Sequence, residues 1–169
     1  MRTLLALTLL TAAVPARAAL AVPASVEELA RLSDSVVRGR VVSATSRWSE
    51  DQRRIFTYVE IAPSSVWRGA PPARVTVIVP GGVVGPIGQR VDGAAAFAKD
   101  EEVVVFLSQA EERAFRVTGL AQGKFSVEGG AARPDLSHTS FVRGQLRAGE
   151  RRAEPMDVAE LERRVRSVK

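Results

Sequence analysis

The 169-residue chain contains no cysteine and a single histidine, His138. Without thiols there is no disulfide framework, no cysteine-ligated zinc or iron–sulfur site and no Cys/His catalytic pair, and one imidazole cannot build a histidine-rich metal site. Aromatic residues make up only 5% of the chain, little material for an extended stacking surface. Charge of one sign is also scarce. The 24 Lys and Arg face 19 Asp and Glu, a net of +5. The two signs balance from Ala19 to Val142; Arg2 and Arg17 carry two of the five surplus charges, and the stretch from Arg143 to Lys169 carries the other three. A pI near 10.6 is a usual footprint of nucleic-acid binding. A surplus this small, interleaved with Glu150, Glu154, Glu160 and Glu162, argues against nucleic acid as the partner. The hydrophobic share of 46% excludes wholesale disorder and supports the core of one domain.

What is present begins with an address. Met1 and Arg2 are followed by a mainly apolar run from Thr3 to Val14 containing Leu4, Leu5, Leu7, Leu9 and Leu10. Ala16-Arg17-Ala18 then supplies small residues at the two positions a signal peptidase reads, completing the pattern of a secretory leader over residues 1–18. The run is too short for a membrane span, which needs about 20 apolar residues, and no cysteine follows it to carry a lipid. Cleavage after Ala18 would release one domain, Ala19 to Lys169, free in the periplasm or outside the cell. No later stretch is long and apolar enough to cross a membrane.

In that domain, Ser25 with Glu28 forms a capping-box pattern, and Val26, Leu29 and Leu32 follow at helical spacing, predicting a short helix to about Ser33. Val36 to Trp48 alternates as a strand, with Val37, Gly39, Val41, Ser43 and Thr45 on one face. Ser49 to Gln52 reads as a hairpin loop. Ile55, Thr57, Val59 and Ile61 alternate against Phe56, Tyr58 and Glu60 in a second strand, which Pro63 interrupts with a bulge, bend or bare edge. Trp67 to Pro72 reads as a turn, Arg74 to Val79 as a third strand, and Gly81 to Gly88 as a long glycine-rich loop. Glu102 to Leu107 is a continuous apolar run suited to a strand buried on both faces. Phe115–Thr118 and Lys124–Glu128 are further strands. Gly129-Gly130 is a hairpin turn, and Pro134–Ser140 a loop before a last strand near Phe141–Leu146. Asp157 caps a final helix, within about residues 155–168, whose stripe of Val158, Leu161, Val165 and Val168 predicts docking on the parent domain. Short strands with a helix at each end predict a mainly β chain: a small antiparallel OB-like barrel or sandwich of five to seven strands.

Three stretches carry a resemblance: Ser33 to Val42 (SDSVVRGRVV), Val66-Trp67-Arg68-Gly69, and Pro80 to Leu107 followed by Gly119 to Phe125 (GLAQGKF). In this order they resemble a group of secreted bacterial proteins that brings no established activity. The first two are also similar to netrin-like modules, including tissue inhibitors of metalloproteinases, which open an OB barrel with a comparable strand. That resemblance implies the barrel alone. Netrin-like modules rely on disulfides, and the inhibitors ligate zinc through an N-terminal cysteine that this chain lacks.

Several residue sets invite a chemical reading. The glycine loop lacks the spacing and the Lys-Ser/Thr of a phosphate cradle, so its glycines serve backbone geometry. A loop on a rigid barrel is nevertheless where recognition collects, which nominates Gly81, Gly82, Gly85, Gly88, Gln89, Arg90 and Asp92 as a binding loop. Trp48, Tyr58 and Trp67, with Arg38, Arg40, Arg47, Arg53 and Arg54, are a second candidate: an aromatic and basic platform for sugars or single strands. Ser137 beside His138 is not a triad, whose members come from distant segments. Asp100-Glu101-Glu102 and Glu111-Glu112 read as solvated strand ends rather than a glycosidase pair, and Glu60 as a surface residue. No calcium-loop pattern occurs.

The expected function is therefore an exported, non-catalytic β-barrel module that binds a protein or envelope partner, with no catalytic residue, metal or cofactor assigned. The alternatives are a secreted protease inhibitor or accessory protein, and an extracellular hydrolase that uses carboxylates.

Overall fold

The computed structural model describes residues 20–134, 136, 140–141 and 155–169. The predicted leader, the Asp135, Ser137 and His138 cluster, and the predicted last strand beyond Phe141 lie outside the described residues.

The elements are β1 (Leu20–Ala21), α1 (Val26–Arg31), β2 (Ser35–Trp48), β3 (Ile55–Arg68), β4 (Val75–Pro80), β5 (Gly82–Val84), β6 (Ile87–Gln89), β7 (Glu102–Glu111), β8 (Ala114–Val117), β9 (Lys124–Glu128), β10 (Ala131–Pro134), β11 (Ser140–Phe141), β12 (Met156–Asp157) and α2 (Val158–Arg166). The chain is mainly β, as its alternation predicts.

Strand β2 pairs with β3, β3 with β4, β4 with β8, β8 with β7, and β7 again with β2. These five strands close on themselves. The β4–β8 contact is parallel and only two residue pairs long, Thr76–Ala114 and Val77–Phe115, so the closure is partial along that seam. The other four pairings are antiparallel. Strand β7 also carries β9, and β10 and β12 continue outward as a wing. β1 and β11 form a short parallel pair apart from this sheet.

Two apolar clusters explain the continuous run on β7. Val103, Val105 and Leu107 point into the barrel with Val37, Val41, Val59, Ile61, Val75 and Val77. Val104 and Phe106 point the other way, against Leu29 and Ala30 of α1 and Val158, Leu161 and Val165 of α2. A strand with core on both sides must be apolar at every position. The stripe of α2 is therefore buried, and the helix is docked as its spacing predicts. Arg164 fastens it further, donating from Nε and a terminal nitrogen to both carboxylate oxygens of Glu27 at 2.6 and 2.7 Å. The capping box at Ser25 and Glu28 is present in full, and Asp157 caps α2 by accepting from the backbone of Ala159 and Glu160.

Four local readings need correction. Trp67 and Arg68 end β3 rather than forming a turn, and Trp67 packs in the helix-side core at 4% exposure. The glycine stretch from Gly81 to Gly88 is a hairpin, β5 and β6 joined at Gly85-Pro86. Its strands are only three residues long, too short for alternation to show. Strand β2 carries a bulge between Val41 and Ser43, so Ala44, Ser46 and Trp48 pair with Val59, Thr57 and Ile55. One extra residue reverses the faces beyond it, and Ser43 and Thr45 therefore leave the face of Val37 and Val41. Finally, Glu101 is not at a solvated strand end: its mostly buried carboxylate pairs with the buried Lys124. Pro63 lies at a second register shift of the same ladder, the bulge that its missing N–H predicts.

The GLAQGKF stretch is structural. Gln122 is buried; it accepts from the Ala24 N–H and donates to the carbonyls of Val22 and Gly119. It thereby ties the entering chain to the barrel.

Candidate binding face

The β5–β6 hairpin is seated on the inner face of the β2–β3 ribbon. Ser46 and Thr57 face each other across the ladder, their hydroxyls 2.9 Å apart. Thr57 Oγ1 donates to the Gly81 carbonyl at 2.8 Å, and Ser46 Oγ accepts from the Val83 N–H at 3.3 Å. The Gly81 N–H donates to the Ile55 carbonyl, and Gln89 Oε1 accepts from the Ile55 N–H. The seat requires glycine at position 82. A Cβ there would lie 2.3 Å from Ser46 Oγ and 2.4 Å from Thr57 Oγ1, and the backbone φ is +138°. Both the space and the dihedral exclude a side chain.

Above this seat the hairpin is open to solvent. Val83 is 66% and Ile87 51% exposed. Trp48, 37% exposed, lies on the same face of the ribbon as Ser46. Three large apolar residues thus belong to the hairpin and the ribbon face that carries it. Beside them a groove of about 290 Å³ is lined by Thr57, Val59, Val79, Gly82, Gln89 and Phe97. Its far wall is the coil Ala94–Phe97. That coil is held at one end by the Ala121 N–H on the Gly93 carbonyl and at the other by reciprocal backbone bonds between Val41 and Asp100–Glu101. Among the described residues no hydrogen bond reaches the backbone of Ala95, Ala96 or Phe97.

Of the predicted loop residues, Gly81, Gly82 and Gln89 therefore build the seat, Gly85 makes the turn and Gly88 lies in β6. Arg90 and Asp92 are exposed just beyond. The predicted aromatic platform is not assembled. Tyr58 pairs with Thr45 and lies on the opposite ribbon face from Trp48, while Trp67 is in the helix-side core, where its indole N–H has no partner among the described residues. Arg38 is engaged by Glu102 at 2.7 Å, and Arg40 donates to the Asp100 carbonyl at 2.6 Å.

The sequence reading missed one polar cluster. Lys124, 4% exposed, ion-pairs with Glu101 and donates to Ser126 Oγ at 2.8 Å, and Ser126 donates to the same carboxylate at 2.5 Å. Burial pushes the Glu101 carboxyl pKa up. The hydrogen bonds from Lys124, Ser126 and the Ala98 N–H more than offset this and hold it below the usual carboxylate value. The alternation of Lys124 and Ser126 on β9 is legible in sequence; their partner on a distant coil is not. The cluster pins the coil that walls the groove. The other carboxylates are dispersed: Glu60 pairs with Arg74, and Glu102 with Arg38.

No model of a known protein family matches the chain, and a search of curated proteins finds no significant relative. Among the described residues no helix is long and apolar enough to cross a membrane.

Proposed function

We propose that the protein is an exported, non-catalytic β-barrel module whose β5–β6 hairpin, with Trp48 and the adjoining groove, binds a protein partner of the cell envelope or the surrounding medium. The observation that carries this reading is the exposure of Val83 and Ile87 on a hairpin fixed to the barrel by four hydrogen bonds. Apolar side chains held on a rigid two-strand element lose little conformational freedom when a partner covers them, so more of the burial appears as affinity. The backbone of Ala96, exposed on the coil beside the groove and without a hydrogen bond among the described residues, offers an extended segment of that partner a hydrogen bond of strand type. Export rests on the leader read in residues 1–18.

The test is retention of a saturable protein from envelope and supernatant fractions of the host on the wild-type chain, compared with a Val83→Asp/Ile87→Asp variant. Retention lost in the variant, with thermal unfolding unchanged, supports the proposal; equal retention by both overturns it. A protease as the retained protein directs the reading to an inhibitor or accessory role for the same hairpin.

A further inference from the structure

The outer face of the β2–β3 ribbon is chemically unlike the hairpin face. Beyond the bulge it presents Ser43, Thr45 and Arg47 on β2 against Glu60, Tyr58 and Phe56 on β3. The Arg47 guanidinium lies 3.5 Å from the centroid of the Tyr58 ring, and that of Arg54 lies 5.6 Å from the Phe56 ring. Arg53 stands beside them on the connecting loop. The geometry points to a binding site for an acidic polysaccharide on this face, separate from the hairpin surface and independent of the reading given to it.

Three observations carry the inference. First, a guanidinium stacked on a ring uses its flat face and leaves its N–H edge free. The side chains of Arg47, Arg53 and Arg54 make no ion pair or hydrogen bond within the described chain, whereas Arg38, Arg74, Arg163, Arg164 and Arg166 are each neutralised by a carboxylate. Stacking pre-orients the free edge of Arg47 toward a carboxylate or sulfate, and the looser contact of Arg54 with Phe56 keeps a second free guanidinium on the same face. Second, the acidic groups nearby are already committed. Glu60 pairs with Arg74, and Asp51 accepts from the Ser49 hydroxyl and the Arg53 N–H, which hold its carboxyl below the usual range. Only Glu50 stands apart on the loop. Third, Ser43 and Thr45 place hydroxyls in the same rows, suited to sugar hydroxyls. The stacked arginine occupies the Tyr58 ring face that a nucleobase would need, which favours a glycan over a single strand.

The test measures binding of the protein to heparin, to polygalacturonate, to neutral dextran and to a single-stranded oligonucleotide at about 50 mM salt, where electrostatic contacts are well expressed. Heparin and polygalacturonate separate sulfate from carboxylate recognition. The expected result is binding to at least one acidic polysaccharide and none to dextran. Affinity should fall about tenfold or more in Arg47→Ala/Arg53→Ala/Arg54→Ala. A matched control, Arg113→Ala/Arg116→Ala/Arg133→Ala, removes the same charge from exposed arginines elsewhere and should change affinity less than about twofold. Arg47→Lys/Arg54→Lys keeps the charge but not the planar stack, and should lose most of the binding. Equal losses in both alanine triples, no binding to either acidic polymer, or tighter binding to the oligonucleotide would each overturn the inference.

Discussion

Replacing Gly82 by alanine tests whether the hairpin seat is as tight as its geometry implies. The added methyl would lie 2.3 Å from Ser46 Oγ, 2.9 Å from Ser46 Cβ and 2.4 Å from Thr57 Oγ1. None of these atoms is the end of a long side chain that can swing away. Holding a residue other than glycine at positive φ costs about 1–3 kcal/mol, and parting the Ser46–Thr57 hydrogen bond adds about 1 kcal/mol. The hairpin should therefore lift from the ribbon at a total cost of about 2–4 kcal/mol. Because the barrel core lies elsewhere, the opening is local. Amide hydrogen exchange at Val83 should accelerate by about 30-fold or more, with little change in the midpoint of urea unfolding. In a Thr57→Ala background one of the two close contacts disappears while Ser46 still accepts the Val83 N–H, so the cost of Gly82→Ala should fall by about 1 kcal/mol or more. Unchanged exchange at Val83, or the same cost in both backgrounds, would refute the steric account of the seat.

Two further predictions concern the elements behind the seat. Leu161→Ala on α2 empties a fully buried position shared with Leu29 and Phe106, and should cost about 2–5 kcal/mol in urea denaturation; a loss under about 1 kcal/mol would mean the helix is not part of the core. Lys124→Met strands the Glu101 carboxylate and should cost about 3 kcal/mol or more, while Lys124→Met/Glu101→Gln should recover part of that loss; a double variant no better than the single would contradict the pairing. Glu101 and Glu27 both titrate below their usual value in the folded chain. For Glu27 the Arg164 hydrogen bond is the leading cause, ahead of the opposing effect of burial. A depressed folded pKa contributes stability that is present above the unfolded carboxylate range and lost as pH falls through the folded pKa. Stability should thus decline below about pH 4.5, less steeply in Glu101→Gln; identical acid limbs for the two proteins would contradict this.

How much of this was legible in the sequence follows from how local each signal is. The capping box at Ser25 needs only four residues. The apolar run on β7 declared a strand with core on both faces, and the stripe on α2 declared docking. Gly129-Gly130 announced the β9–β10 hairpin, where both residues take positive φ. The binding face was harder to read because one residue decides it. The bulge near Val42 reverses β2 and sends Trp48 and Tyr58 to opposite sides, a register event that alternation alone does not reveal. Trp67 looked like part of a turn because Gly69 and Pro71 follow closely, yet tertiary packing carries β3 two residues further than the turn signal suggested. The Lys124–Glu101 pair joins positions whose proximity depends on the coil crossing beside β9, and no local pattern encodes it. Arg47 and Arg54 were visible as charge, but their cation–π contacts with Tyr58 and Phe56 required the ladder register.

The most direct measurement of the central reading is calorimetric titration of the retained partner against single variants of the hairpin face. Val83→Ala, Ile87→Ala and Trp48→Ala should include at least one loss of about 2 kcal/mol or more, the size expected of an interface anchor, while Arg113→Ala on a remote strand end should change affinity by less than about 0.5 kcal/mol. Affinity unchanged by all three hairpin-face variants, in proteins that unfold like the wild type, would contradict the assignment of this face as the recognition surface.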